Sequence, residues 1–281
     1  MKRVNFSNKN PFEFYKEVVR KKSNNANLLA IENAVEQSYI LYKGNFQSNT
    51  LHLLQPLIAS NGNKNDLKEL YSLRKKAFKD LFAELTTDSS NSRDMLCPNC
   101  TLSDCSQLDH YIPKSLFPEF SANPHNLIQC CSICNQKKSN VWLRNGKAVF
   151  LNLYIDNLPS DQYLFVEITM DNGIPRFRFY LDNPHRIDPN LFDKIKSHYE
   201  QLDLCSRFAE RADTLISELV TEYVATLGTS ISPNIFWQFK KNSATLEQKN
   251  KGYNYWKSIF IIACCDNSSV RASIEKKAST P

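Results

Sequence analysis

The stretch "LDHYIPKSLFPEFSANPHNLIQCCSICNQKKS", residues 108–139, decides how the whole chain is interpreted. It brings three polar elements close together in the sequence: Asp109-His110, Asn126-Leu127 and Cys134-Asn135. Such a stretch is either an irregular loop of a small zinc domain or a metal-dependent active site that zinc holds in shape.

Leu108, His110 and Ile112 alternate with Asp109 and Tyr111, and this alternation predicts a short strand. Successive strand side chains point to opposite faces, so Asp109 and His110 cannot do the same task in one place without a twist or bulge. A second strand-like stretch starts at Asn126, and a helix is predicted over residues 134–138. The predicted order is therefore strand, loop, strand, helix.

Two Cys-x-x-Cys pairs flank this stretch, with thirty residues between them: Cys97 with Cys100, and Cys131 with Cys134. A two-residue gap lets both thiolates of a pair face one ion, and two pairs complete a tetrahedral site. This soft, closed ligand set predicts one structural zinc ion (Zn2+). Unrelated buried thiols are the alternative, and Cys105 or Cys130 could replace a predicted ligand.

The composition of the 281 residues is that of an ordinary soluble protein, with 42% hydrophobic and 23% charged residues. A formal charge of +6 is compatible with a polyanionic partner but does not demonstrate one. The sequence has neither a secretory signal nor an apolar run that could span a bilayer, so no membrane association and a cytoplasmic location are expected. Nine cysteines would stay reduced there, which favours metal ligation over disulfides.

The sequence predicts an α+β fold in which helical regions and a β-hairpin flank a central segment. Apolar spacing predicts helices over residues 66–86 and 191–227, and a last helix through residues 253–262. Alternation around Asp171-Asn172-Gly173 predicts a hairpin over residues 166–181. The predicted organisation is an N-terminal helical region (1–92), the central segment (93–156), and a hairpin plus C-terminal helical region (157–281).

The order Cys-x-x-Cys, Asp-His-x-x-Pro, Asn-Leu and Cys-x-x-Cys-Asn-x-x-Lys resembles the HNH endonuclease family in its zinc-knuckle variant. The resemblance covers residues 97–140 and implies a ββα-metal nuclease core within residues 93–156. The sequences of residues 109–115 and 117–121 are similar to those found in a bacterial branch of uncharacterised and defence-associated HNH proteins.

The resemblance implies a role for each matching residue. His110 matches the general base that activates water, and Asp109 matches a carboxylate ligand of one catalytic divalent cation. Asn126 matches the asparagine that ties the intervening loop and helps to orient the histidine. Asn135 matches the last position of the motif, where its amide oxygen would be the second ligand of the cation. Oxygen ligands favour Mg2+ or Mn2+.

The expected function is therefore a metal-dependent endonuclease, a hydrolase that cuts phosphodiester bonds of DNA. The bacterial branch implies a role in anti-phage (antiviral) defence and an ATPase partner protein. The alternative is a zinc-stabilised, catalytically inactive module that binds nucleic acid or another protein. Lys137 and Lys138 are candidates for holding neighbouring phosphates, although a solvated helix face explains them equally well.

Overall fold

The computed structural model describes residues 1–2, 4, 6–58, 61–88 and 90–279. Helices and small two-stranded sheets make up the fold, which is α+β as expected. The chain divides into two compact units, Lys2–Leu158 and the chain from Pro159 onward. Apart from Met1, the predicted segments 1–92 and 93–156 both fall in the first unit. No helix in the described ranges is long and apolar enough to cross a membrane.

In the described ranges, five helices precede the central segment: α1 (Pro11–Arg20), α2 (Ala26–Ala30), α3 (Glu32–Gln47), α4 (Asn61–Lys68) and α5 (Lys76–Leu85). Helix α1 begins where the Asn10 side chain accepts hydrogen bonds from two backbone amides, with Pro11 at the first helical position. Fully buried aromatic side chains form the core of this unit, among them Tyr15, Tyr42, Phe78 and Phe120. The central segment thus packs against helices of the N-terminal region.

The prediction of one continuous helix over residues 66–86 is wrong, because the chain breaks between α4 and α5. At the break the Lys75 ammonium binds the carbonyl oxygens of Glu69 and Leu70, at 3.1 and 2.8 Å. The Tyr71 hydroxyl donates to the Leu108 carbonyl at 2.7 Å, which is a tertiary contact. The lysine satisfies two carbonyls of the turn that follows α4, and the tyrosine anchors that turn to β1, so tertiary structure here overrides helix propensity.

The central segment has the predicted element order: β1 (Gln107–His110), a loop, β2 (Leu127–Cys130) and α6 (Ser132–Lys138). Strands β1 and β2 are antiparallel, with Asp109 opposite Ile128 and His110 opposite Leu127. A short antiparallel pair follows, β3 (Leu143–Arg144) with β4 (Lys147–Ala148). The loop between β1 and β2 contains two 3₁₀ turns, Pro118–Phe120 and Pro124–Asn126.

The predicted hairpin is confirmed as β5 (Leu164–Asp171) paired with β6 (Ile174–Leu181). Its turn residues Asn172 and Gly173 have φ values of 50° and 80°, as a two-residue hairpin turn of the I′ type requires. The remaining helices are α7 (Pro189–Leu202), α8 (Leu204–Val224), α9 (Pro233–Lys251), α10 (Trp256–Asp266) and α11 (Ser268–Ala278).

Two helix predictions in the second unit need correction. The single helix expected over residues 191–227 is split into α7 and α8 by Asp203, whose φ is 52° in the left-handed region. The last helix was expected from residue 253, but α10 begins at Trp256, and α9 and α11 were not predicted at all. Phe208 and Trp256 stack at 5.4 Å in the core of this unit, as expected from their helical spacing.

Candidate functional site

Four buried cysteine side chains, Cys97, Cys100, Cys131 and Cys134, form a cluster whose sulfur atoms lie within 4.8 Å of one another. The Sγ atoms of Cys100 and Cys131 are 3.8 Å apart. Zinc–sulfur bonds of about 2.3 Å in a tetrahedron place two sulfurs about 3.8 Å apart. The cluster predicted from the two Cys-x-x-Cys pairs is therefore present, and it could hold a zinc ion.

Backbone amides already point at these sulfur atoms. The amides of Cys131, Leu102 and Cys134 donate to Cys97, Cys100 and Cys131, at 3.3, 3.4 and 3.4 Å. Contacts with Cys100, Cys131 and Cys97 raise the pKa of Cys134, because neighbouring sulfurs disfavour a further negative charge. A bound cation would let all four thiols ionise together, so the chemistry of the cluster fits zinc.

Cys105 and Cys130 lie outside the four-sulfur cluster although both are buried. Cys130 is the last residue of β2, next to the ligand position Cys131. Cys105 does contact Cys97. The largest single effect on the pKa of Cys97 comes from Cys100, which lowers it, and the contact with Cys105 raises it. The geometry therefore selects the four cysteines with two-residue spacing.

A cleft of about 460 Å³ lies beside β1 and α6. Three of the four residues assigned to catalysis line it: Asp109, His110 and Asn135. The fourth, Asn126, is fully buried behind the cleft and is not part of its wall. Side chains that carried no predicted role also line the cleft, including Tyr71, Gln107, Lys114 and Asn140.

The imidazole of His110 is held in one orientation. Its Nε2 lies 2.9 Å from the Ser121 carbonyl oxygen, in the loop between β1 and β2. A carbonyl oxygen can only accept, so Nε2 carries the proton and Nδ1 keeps a free lone pair. The Tyr71 ring meets the imidazole edge-on at a centroid distance of 4.7 Å. These contacts fix both the tautomer and the position of a potential proton acceptor.

Burial lowers the pKa of His110 to about 3, an effect that the nearby Lys114 and Lys138 charges reinforce and the Ser121 hydrogen bond opposes. The ring is therefore neutral at pH 7. An anionic group entering the cleft would raise this pKa, because a negative charge favours the imidazolium form. Proton uptake by His110 thus becomes more favourable when an anion binds beside it.

Asn126 links the two ends of the loop that carries Ser121. Its Oδ1 accepts from the Ile112 amide at 2.8 Å, and its Nδ2 donates to the carbonyls of Ile112 and Phe120, at 3.0 and 3.4 Å. Phe120 directly precedes Ser121, so the side chain of Asn126 acts on His110 through the loop. The role that the resemblance implies for Asn126 stays a prediction.

Asp109 forms an ion pair with Lys138, with Nζ at 3.2 Å from Oδ2. Lys138 also donates to the His110 carbonyl at 2.7 Å, and its side chain is 7% exposed. Burial raises the pKa of Asp109, and the Lys138 charge opposes that rise. Lys138 is therefore a buried partner of the carboxylate, and it does not lie on a solvated helix face.

Asn135 contacts β1 one helical turn before Lys138. Its Nδ2 donates to the side-chain oxygen of Gln107, which leaves its own Oδ1 for another partner. Gln107 and Asp109 lie two residues apart on one face of β1, and both meet α6. The carboxylate of Asp109 and the amide oxygen of Asn135 are thus two oxygen donors in one cleft, a set that suits Mg2+ or Mn2+.

Glu119 and His125, two further polar residues of the region, do not line the cleft. Glu119 is 1% exposed, and its Oε1 accepts from the Leu57 amide at 3.0 Å. His125 packs on Phe6 at a centroid distance of 4.0 Å and does not line the cleft. Sequence reasoning missed Gln107, although its spacing from Asp109 places it on the same strand face. It also missed Tyr71, which lines the cleft from the break between α4 and α5.

Comparison with known proteins finds a distant relative. The chain is similar to Protein ea31 of Escherichia phage lambda, with 25% identity over 240 residues that cover 79% of each chain. No family model matches, and no solved structure matches. The name of the phage protein states no activity, so what the site does has to be inferred from its own geometry.

We expect Cys131→Ser to lose the zinc ion and to unfold the central segment, since metal binding supplies on the order of 10 kcal/mol in small zinc sites. Cys130→Ser is the matched control, because Cys130 is equally buried but lies outside the cluster. Metal analysis and circular dichroism of both variants measure the effect. Wild-type protein that folds well without zinc would contradict the assignment, as would loss of zinc from Cys130→Ser alone.

We expect Lys138→Met to lower the free energy of unfolding by about 3 kcal/mol, since it leaves the Asp109 carboxylate buried without a counter-charge. Lys147→Met, at an exposed lysine of β4, should change it little. Urea denaturation measures both values. The double variant Asp109→Asn with Lys138→Met should be more stable than Lys138→Met alone. Equal stability of Lys138→Met and wild type would show that the ion pair contributes nothing.

Proposed function

We propose that the protein is a metal-dependent endonuclease of the HNH type, whose β1, β2 and α6 form a ββα-metal core. The proposed substrate is DNA and the reaction is hydrolysis of a phosphodiester bond. The single observation that carries the proposal is the placement of His110. Its Nδ1 lone pair is kept free by the bond to the Ser121 carbonyl, in the cleft that Asp109 and Asn135 also line.

Hydrolysis of a phosphodiester requires a proton acceptor for the attacking water. Neutral His110 offers Nδ1 for this role, while Nε2 stays bonded to the loop and prevents rotation of the ring. Asn126 holds the loop and so acts as a positioning residue. An anionic phosphate beside the ring would raise the pKa of His110 from about 3, so proton transfer to Nδ1 becomes more favourable when the substrate is bound.

Asp109 and Asn135 would hold the divalent cation, with Gln107 orienting the amide of Asn135. When bound, the cation would supply Lewis-acid stabilisation of charge on the phosphate and the leaving oxygen. The Asp109 carboxylate is already paired with Lys138, so cation binding must compete with or share that contact. This competition gives Lys138 a direct influence on metal affinity.

The same ion pair favours a second candidate, an inactive zinc-stabilised module that binds nucleic acid or a protein. In that case the Lys138 ammonium takes the place of the catalytic cation beside Asp109 and neutralises it permanently. His110 and Asn135 would then serve only to join β1, the loop and α6. The two candidates differ in one property, the response of DNA cleavage to Mg2+ or Mn2+.

A role in anti-phage defence and an ATPase partner rest on the resemblance of the motif alone. The lambda relative comes from a phage, and its name carries no information about either. Co-purification of the full chain from a bacterial host would identify such a partner.

We expect the wild-type protein to cut supercoiled plasmid DNA with Mg2+ or Mn2+ and to stop when a chelator removes the cation. His110→Ala should lower the cleavage rate by about a hundredfold or more, the usual contribution of general-base catalysis. Its zinc content and DNA affinity should stay close to those of wild type. Gel analysis of plasmid forms over time measures the rates.

His185→Ala is the matched control, because His185 is exposed and belongs to the second unit. It should cut at the wild-type rate. Full activity of His110→Ala would reject the assigned mechanism. Wild-type protein that binds DNA but cuts it under none of these conditions would instead favour the inactive module.

A further inference from the structure

Two lysines lie near His110, and their surroundings differ. Lys138 forms an ion pair with the Asp109 carboxylate and donates a hydrogen bond to the His110 carbonyl. Lys114 lines the cleft and is half-buried. Within the described ranges its ammonium forms no ion pair. One lysine near His110 is therefore already neutralised, whereas the lysine on the cleft wall has no ion-pair partner in the described ranges.

The position of Lys114 is set by an aromatic side chain. Its Nζ lies 4.9 Å from the centroid of the Tyr71 ring, and that ring meets the His110 imidazole edge-on at 4.7 Å. The Tyr71 hydroxyl is held by the Leu108 carbonyl, so the ring is a fixed platform between the two groups. The electron-rich face of a tyrosine ring attracts a cation, which favours this orientation.

The charge environment of Lys114 favours an anion. Burial lowers its pKa, and the nearby positive charge of Lys68 lowers it further. Two positive charges in proximity without an acidic partner destabilise each other, and an anion binding between them would relieve that repulsion. Asp109, the acidic residue of the cleft wall, is already paired with Lys138.

We propose that Lys114 binds a phosphate of the nucleic-acid backbone, adjacent to the phosphate that lies at His110. This inference rests on the proposed function and names the residue that anchors its substrate. The ligand class is a phosphodiester backbone, since successive phosphates can contact the histidine and the lysine in one cleft. Lys137 and Lys138 had been the sequence-based candidates for this task, and the buried ion pair removes Lys138 from it.

The test measures how salt weakens DNA binding, because each phosphate contact contributes about 0.9 to the slope of log affinity against log salt concentration for duplex DNA. His110→Ala protein prevents cleavage during the measurement. Fluorescence anisotropy with a short labelled DNA duplex then gives the slope for His110→Ala alone and for double variants. Adding Lys114→Gln or Lys114→Met should weaken binding and reduce the slope by about 0.9.

Lys114→Arg, which keeps the charge, should retain most of the affinity and the full slope. Lys76→Gln is the matched control, because Lys76 is an exposed lysine that does not line the cleft. Zinc content and circular dichroism should be the same for all variants. A structural role for Lys114 would change affinity without changing the salt slope.

The outcomes separate this inference from the function on which it rests. DNA binding with an unchanged salt slope in both neutral Lys114 variants overturns the role of Lys114 and leaves the nuclease proposal intact. Failure of Lys114→Arg to keep the slope also overturns it. Wild-type protein that neither binds nor cuts DNA overturns both proposals together.

Discussion

Closure of the central segment by four cysteines is the constraint on which the rest of the site depends. Cys97 and Cys100 precede β1, whereas Cys131 and Cys134 follow β2 and lie at the start of α6. Joining these two ends sets the distance between the strand that carries Asp109 and the helix that carries Asn135. A two-stranded sheet with one short helix buries little apolar surface of its own. A bound metal is therefore the expected source of its stability.

Within this frame, buried polar contacts position each functional group. Lys138 ties the end of α6 to β1 through Asp109 and the His110 carbonyl. Asn126 ties the loop through backbone groups of Ile112 and Phe120, and the loop in turn orients His110. Loss of one partner would leave the other buried and unsatisfied, which costs about 1–3 kcal/mol for a neutral group. The cleft is therefore preorganised before any ligand enters.

The sequence predicted the parts of this arrangement that depend on local spacing. Two-residue cysteine gaps predicted the cluster, and Asn172-Gly173 predicted the hairpin turn. Local sequence patterns did not predict the contacts between distant parts of the chain. Tyr71 was expected within a helix, yet its bond to Leu108 accompanies the break that brings it to the cleft. The pairing of Lys138 with Asp109 likewise joins residues far apart in sequence, so Lys138 was misread as a candidate surface group.

We propose that two different metals occupy two different sites, a structural one in the cysteine cluster and a catalytic one in the cleft. Anomalous diffraction from crystals of His110→Ala protein with DNA and Mn2+ tests this directly, at the zinc and the manganese absorption edges. We expect a zinc peak among Cys97, Cys100, Cys131 and Cys134 and a manganese peak at Asp109 and Asn135. A cleft without manganese, with Lys138 still bound to Asp109 beside the DNA, would contradict it.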